Sequence, residues 1–252
     1  SGQLIGGKDR DKASSVFTES IVTALAITLL LSAEVYLLFN PILRLLKAEG
    51  ELSVFFKSYY RVMLFSYPLL VLTTIFGMFI RTDGRPQVFM GISLLESVLN
   101  FILDYVFLKK LNMGVKGSAY ATLIVKVVSC TICILYFLFS SKSIKIKRFS
   151  FDCAVFQKSM LNGSSEFIGE MAGAISMMAL NYVLMKYVGE GGVAAFTILG
   201  FAVYGYNMIT IGFGQGLSPI VSVLWGENER EEAVDMRRLA SNILFVLGLI
   251  TA

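Results

Sequence analysis

The amino-acid sequence predicts an all-α membrane protein, a polytopic bundle of helices that cross a lipid bilayer. Hydrophobic residues make up 56% of the 252 residues and charged residues only 16%, whereas about 25% of a typical soluble domain is charged. The apolar residues are also grouped into stretches close to the roughly 20 residues that a helix needs to cross the hydrocarbon core. Both observations exclude an ordinary soluble domain.

Six apolar stretches are long enough to span a membrane, and we predict a helix in each. They lie at about 15–39, 58–80, 87–108, 117–139, 163–187 and 192–216. A seventh apolar stretch begins near residue 234 and continues to Ala252. No initiator Met and no signal peptide precede the first stretch. We therefore expect the sequence to be a piece of a longer chain, cut inside the last of these stretches.

Polar segments separate the predicted helices. The motif RTDGRPQ at 81–87 follows the second helix, and LKKLNMGVKG at 108–117 reverses the chain between the third and the fourth. The longest polar segment, SSKSIKIKRFSFDCAVFQKS at 140–159, follows the fourth helix. We predict that this linker joins two lobes, a partial N-terminal lobe at 1–150 and a partial C-terminal lobe at 151–252.

One eight-residue pattern occurs twice. GGKDRDKA at 6–13 and GENEREEA at 226–233 share Gly, Arg and Ala at equivalent places, 220 positions apart. Two unrelated polar turns would account for so short a match. If it marks the same loop of two repeats, the full chain holds about twelve helices in a 6+6 pseudo-repeat, and this sequence covers about the third to the ninth. The repeats then have parallel orientation, as in many transporters that bind substrate between two lobes.

Lys and Arg residues are concentrated in alternate loops. One set of loops carries thirteen of them and the other set six, and cytoplasmic loops collect Lys and Arg. In a multi-pass protein of the cell (inner) membrane, the cytoplasmic loops should therefore be those near 1–14, 81–86, 140–159 and 217–233. The turns near 40–57, 109–116 and 188–192 should face outward. Because the charges form no continuous basic face, we expect no nucleic-acid partner.

Cys130 and Cys133 form a CxxC motif inside the fourth predicted helix. The chain contains no His and only three Cys, whereas a structural zinc site needs about four such ligands. We therefore predict no metal site and no catalytic cysteine. Two small residues buried on one helix face are the better interpretation.

Several ionisable residues lie within the apolar stretches, where a charge costs roughly 2.5–3.5 kcal/mol on insertion scales. The candidates among them are Glu19, Glu34, Glu96, Asp104, Lys126, Glu166, Glu170 and Lys186. Glu19, Glu34 and Lys186 lie near span ends, where a side chain can reach the membrane interface. The other five need partners or water, and each is a candidate functional residue.

Asn100 and Asp104 are four residues apart, so both project from one face of the third predicted helix. Counting back from the turn that follows places Thr122 of the next helix near the depth of Asp104. An amide oxygen, a carboxylate and a hydroxyl at one depth can hold a small hard cation, or keep a carboxyl buried enough to carry a proton. Polar side chains that join two membrane helices are an equally good interpretation.

Three more charged residues have two interpretations each. Lys126 lies one turn after Thr122 and is either a structural counter-ion for Glu96 or Asp104, or part of a substrate site. Glu166 and Glu170 open the fifth predicted helix. Carboxylates near a helix N-terminus interact favourably with the helix dipole. The two residues therefore either cap this helix or contribute to a substrate or second cation site.

Three segments resemble signatures of the multidrug and toxic compound extrusion (MATE) family of transporters. They are RTDGRPQ at 81–87, LNFILDYVFLKKLNMGVKGSAYATLI at 99–124 and GFGQGLSPIVSVLWGENEREEA at 212–233. The resemblance runs from Gly6 to about Ala252 and implies a twelve-helix fold of two six-helix lobes. It also implies an antiporter, coupled to Na⁺ or H⁺ and without a cofactor, that exports small organic, often cationic, compounds. At full length we expect a monomer.

The resemblance also assigns roles to individual residues. One branch of the family holds a cation with an Asp on the first helix and with an Asn, an Asp and a Thr on the fifth and sixth. Asn100, Asp104 and Thr122 match the last three, and the first helix is expected to lie outside this sequence. Lys126 stands where family members usually carry Gln. A flippase for lipid-linked saccharides is the alternative function, and an intramembrane hydrolase is the remote one, because the chain lacks a His to act as base.

Overall fold

The structure, a computed structural model, describes residues 2–45 and 51–251, and within them it is all-α. The α-helices of these residues are α1 (Gly2–Gly6), α2 (Arg10–Leu45), α3 (Glu51–Thr82), α4 (Pro86–Tyr105), α5 (Val115–Leu135), α6 (Cys153–Tyr187), α7 (Glu190–Gly226) and α8 (Arg230–Thr251). Short π-helical segments at Val106–Lys110 and Tyr136–Ser140 continue α4 and α5. The predicted outer turn around Lys47 lies outside the described residues.

Six of the described helices are long and apolar enough to cross a membrane. The candidate spans are Arg10–Pro41, Phe56–Thr82, Pro86–Lys110, Val115–Ser140, Cys153–Tyr187 and Gly191–Gly226. Each contains one of the six predicted apolar stretches, so the prediction of a multi-pass helical membrane protein is confirmed. α8 begins at Arg230, just before the seventh predicted stretch.

The local sequence accounts for where α4 and α6 begin. The Asp152 carboxylate caps α6, because it accepts hydrogen bonds from the backbone N–H groups of Ala154 (2.9 Å) and Val155 (3.4 Å), which have no partner inside the helix. α4 begins at Pro86, whose ring fixes a helical φ and which has no N–H to leave unpaired. Gly84, with φ of 82°, adopts a left-handed conformation that costs glycine little.

The two copies of the repeated sequence pattern adopt the same turn. Two backbone hydrogen bonds close each turn, and each atom of the second turn lies 220 residues after its counterpart. The bonds are Gly7 N–H to Gln3 O (2.9 Å) and Asp9 N–H to Leu4 O (2.8 Å) in the first turn, and Glu227 N–H to Val223 O (2.9 Å) and Glu229 N–H to Leu224 O (3.0 Å) in the second. Lys8 and Asn228, in the middle of the turns, both have left-handed φ values, 61° and 68°. The shared geometry favours a repeated loop over two unrelated turns.

The chain divides into two compact units. Unit one comprises Ser1–Phe149 with Ser222–Glu229, and unit two comprises Ser150–Val221 with Arg230–Ala252. Within unit one, α1 packs against residues 222–226. The assignment of 1–150 and 151–252 to two partial lobes of a transporter stays a prediction.

Aromatic side chains form the core of unit one around Phe17 of α2. Phe17 is fully buried, and its ring centroid lies 4.3 Å from that of Phe137 and 4.8 Å from that of Phe79. Such rings bury large apolar areas and gain further from tilted and edge-to-face contacts. Cys130 and Cys133 are unbonded thiols buried in the same cluster. The prediction that the CxxC motif is a packing feature is therefore confirmed.

Unit two has less buried surface. The described side chains of α6 are almost all exposed, and a helix that is apolar all round needs lipid or further protein around it. α7 and α8 line an open apolar groove of about 540 Å³. Its walls include Met208, Phe213, Leu217, Leu239 and Ile243.

Candidate cation site and its neighbouring ion pair

α4 presents three polar side chains on one face. Glu96, Asn100 and Asp104 follow one another at intervals of four residues in this helix, and a helix places such residues in one row. At a rise of 1.5 Å per residue the row is about 12 Å long. All three residues are half-buried. The predicted pairing of Asn100 with Asp104 on one helix face is therefore present.

α5 packs against α4 and returns antiparallel to it after a short turn. The helices approach closely at Gly117, where a Cβ would come within 3.0 Å of the Phe107 Cβ. Counting from this contact along both helices places Thr122 midway between the levels of Asn100 and Asp104. The register therefore favours the predicted common depth of the three groups.

Asp104 and Thr122 each carry an oxygen that is available to a cation. The Oδ1 atom of Asp104 is buried and accepts no hydrogen bond from the described residues. A buried, unpartnered carboxylate oxygen is strongly unfavourable in apolar surroundings. The Thr122 hydroxyl donates to the Ser118 carbonyl oxygen (3.1 Å), which leaves the lone pairs of its own oxygen free. A bound cation or a proton would satisfy the Asp104 oxygen.

Lys126 and Glu96 form an ion pair between α5 and α4. The Lys126 Nζ lies 3.0 Å from both carboxylate oxygens of Glu96, and each side chain is 18% exposed. Glu96 and Asp104 were both predicted partners for Lys126, and the structure selects Glu96. A pair of this kind adds little net charge to the membrane interior. Removal of either partner would leave a charge uncompensated, at a cost of about 3–5 kcal/mol.

The interpretation of Glu166 and Glu170 as helix caps is wrong. α6 begins at Cys153 and its cap is Asp152, so both glutamates lie more than three turns inside the helix. The helix starts well before its apolar stretch because a cap, and not hydropathy, decides where it begins. Both glutamates are exposed in unit two. Their part in a substrate or second cation site stays a prediction.

Glu19 is buried in unit one, whereas its place near a span end predicted a side chain that reaches outward to the membrane interface. Only 4% of Glu19 is exposed, because it lies on α2 beside the buried residues around Phe17. Hydropathy locates a residue along a span, whereas burial depends on which helix face packs inward. Glu34, the other carboxylate placed near an end of the same span, is exposed as expected.

Asp83 is a further polar centre, which sequence reasoning missed. Its carboxylate accepts four hydrogen bonds, from Tyr136 OH (2.6 Å), Ser141 OH (3.0 Å), Lys142 N–H (3.1 Å) and Ser143 N–H (2.8 Å). Only 8% of Asp83 is exposed, and these donors replace the water lost on burial. The single acidic residue between Arg81 and Arg85 was the signal that could have revealed it. Asp83 ties the RTDGRPQ turn to the start of the predicted linker.

The beginning of the linker, residues 141–147, forms a docked strap on unit one. The backbone N–H of Lys145 donates to the Ser14 hydroxyl oxygen (3.1 Å), and that of Lys147 to the Thr18 hydroxyl oxygen (3.0 Å). The Ile144 side chain is fully buried in the aromatic core. The strap is therefore held by hydrogen bonds to α2 as well as by Asp83.

Apolar spanning helices, a half-buried polar row on α4 and an ion pair between α4 and α5 describe a polytopic helical membrane protein. The MatE family model matches residues 1–106. The multidrug export protein MepA of Staphylococcus aureus is 27% identical over 256 aligned residues, which cover 98% of this chain and 56% of the relative. The chain thus spans about half the length of the curated relatives that it matches.

Solved structures agree with the sequence matches. A crystal structure of a MATE mutant superposes with a TM-score of 0.91 at 25% identity, covering 99% of this chain and 56% of that one. A transporter of the MOP superfamily from Pyrococcus furiosus, described as having a binding pocket of reverse polarity that suggests a different function, gives 0.85 at 26% identity, with coverage of 99% and 56%. By sequence and by fold the chain is therefore similar to the MATE family of transporters. The predicted fold, part of a twelve-helix, two-lobe transporter, is confirmed.

Proposed function

We propose that the full-length protein is a cation-coupled antiporter that exports small organic, often cationic, compounds across the cell membrane. Relatives that align with almost the whole chain are named multidrug export proteins, which supports the export of varied small molecules. Na⁺ or H⁺ is the coupling ion, and no cofactor is needed for such an exchange. The proposed exporter works as a monomer at full length.

Asn100, Asp104 and Thr122 are the proposed binding site of the coupling cation. The observation that carries this assignment is the buried Oδ1 of Asp104, which has no partner in the described part of the chain. A carboxylate of this kind favours the state of the transporter in which a cation or proton neutralises it. Asn100 adds an amide oxygen one turn away, and Thr122 adds a hydroxyl oxygen from α5. Oxygen ligands of these three types suit a small hard cation.

Coupling follows if the cation and the organic substrate favour opposite conformations. A ligand shifts a conformational equilibrium only by the difference between its affinities for the two states. Asp104 would hold the cation tightly in one state and release it in the other, while the substrate binds in the reverse order. The exposed carboxylates of Glu166 and Glu170 on α6 would attract organic cations.

Lys126 bears on the alternative function, a flippase for lipid-linked saccharides. An anionic headgroup would favour a cavity with unpaired basic residues. Lys126 is instead neutralised by Glu96 at 3.0 Å. The observed ion pair therefore favours the exporter.

The test is the Asp104→Asn variant of the full-length protein, reconstituted in vesicles with an imposed Na⁺ or pH gradient. Asparagine keeps the size and hydrogen-bonding capacity of the side chain but removes its charge. Efflux of a panel of organic dyes should lose its dependence on the gradient, while the amount of protein in the membrane stays nearly unchanged. Glu34→Gln, at an exposed site near a span end, is the matched control and should change little. Gradient-driven efflux at the wild-type rate in Asp104→Asn would show that Asp104 is structural.

A further inference from the structure

We propose that the Lys126 ammonium is a tethered cation that competes with the free coupling cation for the Asp104 carboxylate. The inference rests on the coupling role proposed for Asp104, and it assigns to Glu96 the task of holding Lys126 away from that site. Three observations support it: the ion pair with Glu96, the Asp104 oxygen that accepts no hydrogen bond from the described residues, and the position of Lys126 between the two carboxylates.

The helix register places Lys126 between the levels of Glu96 and Asp104. Gly117 faces Phe107, and Lys126 lies nine residues further along α5. Counting nine residues back from Phe107 along α4 reaches the level of residue 98. This level is two residues from Glu96 and six residues from Asp104. These separations correspond to about 3 Å and about 9 Å of helix rise. Lys126 therefore lies nearer to the carboxylate with which it pairs, and within two helical turns of the other.

The directions of the side chains allow Lys126 to move from the Glu96 carboxylate to the Asp104 carboxylate. In a helix each side chain leans toward the N-terminus of its own helix. Because α4 and α5 are antiparallel, Asp104 and Lys126 lean toward each other. The four-carbon stem of lysine is flexible and carries a compact charge. Lys126 can therefore turn from Glu96 toward Asp104 by rotation about side-chain bonds.

The charge balance prevents Lys126 and a free cation from neutralising Asp104 at the same time. One ammonium and two carboxylates leave one negative charge, which a free cation or a proton can neutralise. While Lys126 pairs with Glu96, that negative charge is on Asp104, and the cation binds there. When Lys126 pairs with Asp104, the free cation has lost its ligand. The apparent affinity of the site for the free cation then falls with the fraction of protein in the competent arrangement.

The test compares Na⁺ binding to the purified full-length wild type and to the Glu96→Gln/Lys126→Gln double variant, by isothermal titration calorimetry or ²²Na⁺ binding. The double variant replaces the ion pair by two amides and removes no net charge. Because Glu96 already holds Lys126 away from Asp104 in the wild type, the double variant should bind Na⁺ within about twofold of wild type, whereas Glu96→Gln alone should bind it about tenfold more weakly. A double variant that binds Na⁺ as weakly as Glu96→Gln would overturn the proposal.

The single variants Glu96→Gln and Lys126→Gln complete a double-mutant cycle. Glu96→Gln should weaken Na⁺ binding about tenfold when Lys126 is present, and by less than about twofold in the Lys126→Gln background. Equal factors in both backgrounds would mean that Glu96 acts by its own charge, and the proposal would fail. If Glu96→Gln does not fold, Glu96→Asp keeps the charge but draws it back from Lys126, and a smaller loss of affinity is expected only when Lys126 is present.

Asp104→Asn separates this proposal from the proposed function. Added to the double variant, it should abolish Na⁺ binding if the cation binds at Asp104. Gradient-driven efflux that survives Asp104→Asn contradicts the coupling role of Asp104. Loss of efflux in Asp104→Asn, together with a double variant that binds Na⁺ as weakly as Glu96→Gln, contradicts only the role of Lys126.

Discussion

Gly6, at the end of α1, packs against the end of α7, and Gly226, at the end of α7, packs against α1 in return. A Cβ on Gly6 would come within 2.9 Å of the Glu227 nitrogen, and a Cβ on Gly226 within 2.8 Å of the Gln3 Cα. Gly6 also lies beside the backbone of Val223, the counterpart of Gln3 in the second copy of the pattern. The two turns are thus related by an approximate local two-fold axis. The same residues of the sequence repeat form the repeated turn and the contact between its copies.

Gly226→Ala should destabilise the protein, because the added methyl group meets backbone atoms that cannot move as a flexible side chain could. Overpacking of this kind costs typically about 1–3 kcal/mol. The measurement is the unfolding temperature of the full-length protein in detergent. The matched control is Gly200→Ala in α7, where an added Cβ meets no atom within 4 Å. Alanine is the better helix former by about 1 kcal/mol, so the control should be neutral or slightly stabilising, and an equal loss in both variants would contradict the packing argument.

Asp83→Asn should weaken the attachment of the strap at residues 141–147. The carboxylate accepts two backbone N–H groups and two hydroxyl groups, and hydrogen bonds to a charged group contribute about 1.5–3 kcal/mol each. The amide group of asparagine offers one acceptor oxygen and turns two donors toward other donors. We expect faster cleavage by trypsin after Lys145 and Lys147, detected by mass spectrometry of the fragments.

The control for Asp83 is Asp235→Asn. Asp235 is exposed and pairs only loosely with Arg238, at 3.7 Å, and such surface pairs contribute about 0–1 kcal/mol. Its loss should leave the cleavage rate at the strap unchanged. If Asp83→Asn is cut no faster than this control, Asp83 does not hold the strap in place.

The sequence was sufficient to predict the helices and their approximate spans, because about 20 consecutive apolar residues leave few alternatives in a membrane. It also predicted the shared turn, since the Gly and the charged residues that end one helix and begin the next lie at the same places in both copies. The buried position of Glu19 and the role of Asp83 could not be predicted in this way. Both depend on which helix faces meet across the core, and hydropathy along one helix does not contain that information.

The candidate cation site, like the fold, could be predicted from the sequence only in part. The spacing of Asn100 and Asp104 predicted a common helix face, which the helical geometry provides. The partner of Lys126 could not be chosen between Glu96 and Asp104 from spacing alone. The choice depends on the register of α4 against α5, which the contact between Phe107 and Gly117 sets.

Thr18→Val should loosen the strap without disturbing α2. The change replaces a hydroxyl by a methyl group of similar size and leaves the N–H of Lys147 without its acceptor. The bond is only partly buried, so its loss should cost about 0.5–1.5 kcal/mol. Hydrogen exchange, followed by mass spectrometry of the peptide that contains Lys147, should become faster. Thr23→Val is the matched control, because the Thr23 hydroxyl donates to carbonyl oxygens of its own helix, and equal exchange in the two variants would contradict the docking of the strap by Thr18.

The orientation of the helices is tested by labelling single cysteines in a full-length background in which the exposed Cys153 is replaced by serine. Cysteines at Lys145 and Glu227 should react with a membrane-impermeant maleimide only from the cytoplasmic side, and one at Leu111 only from outside. The reason is the distribution of Lys and Arg, thirteen in one set of loops and six in the other. Asn112 and Asn228 are unsuitable sites, because their left-handed φ values of 49° and 68° would strain a cysteine. In the predicted topology, three membrane crossings separate positions 111 and 227. Labelling of both positions from the same side would contradict this topology, and with it the parallel orientation of the two repeats.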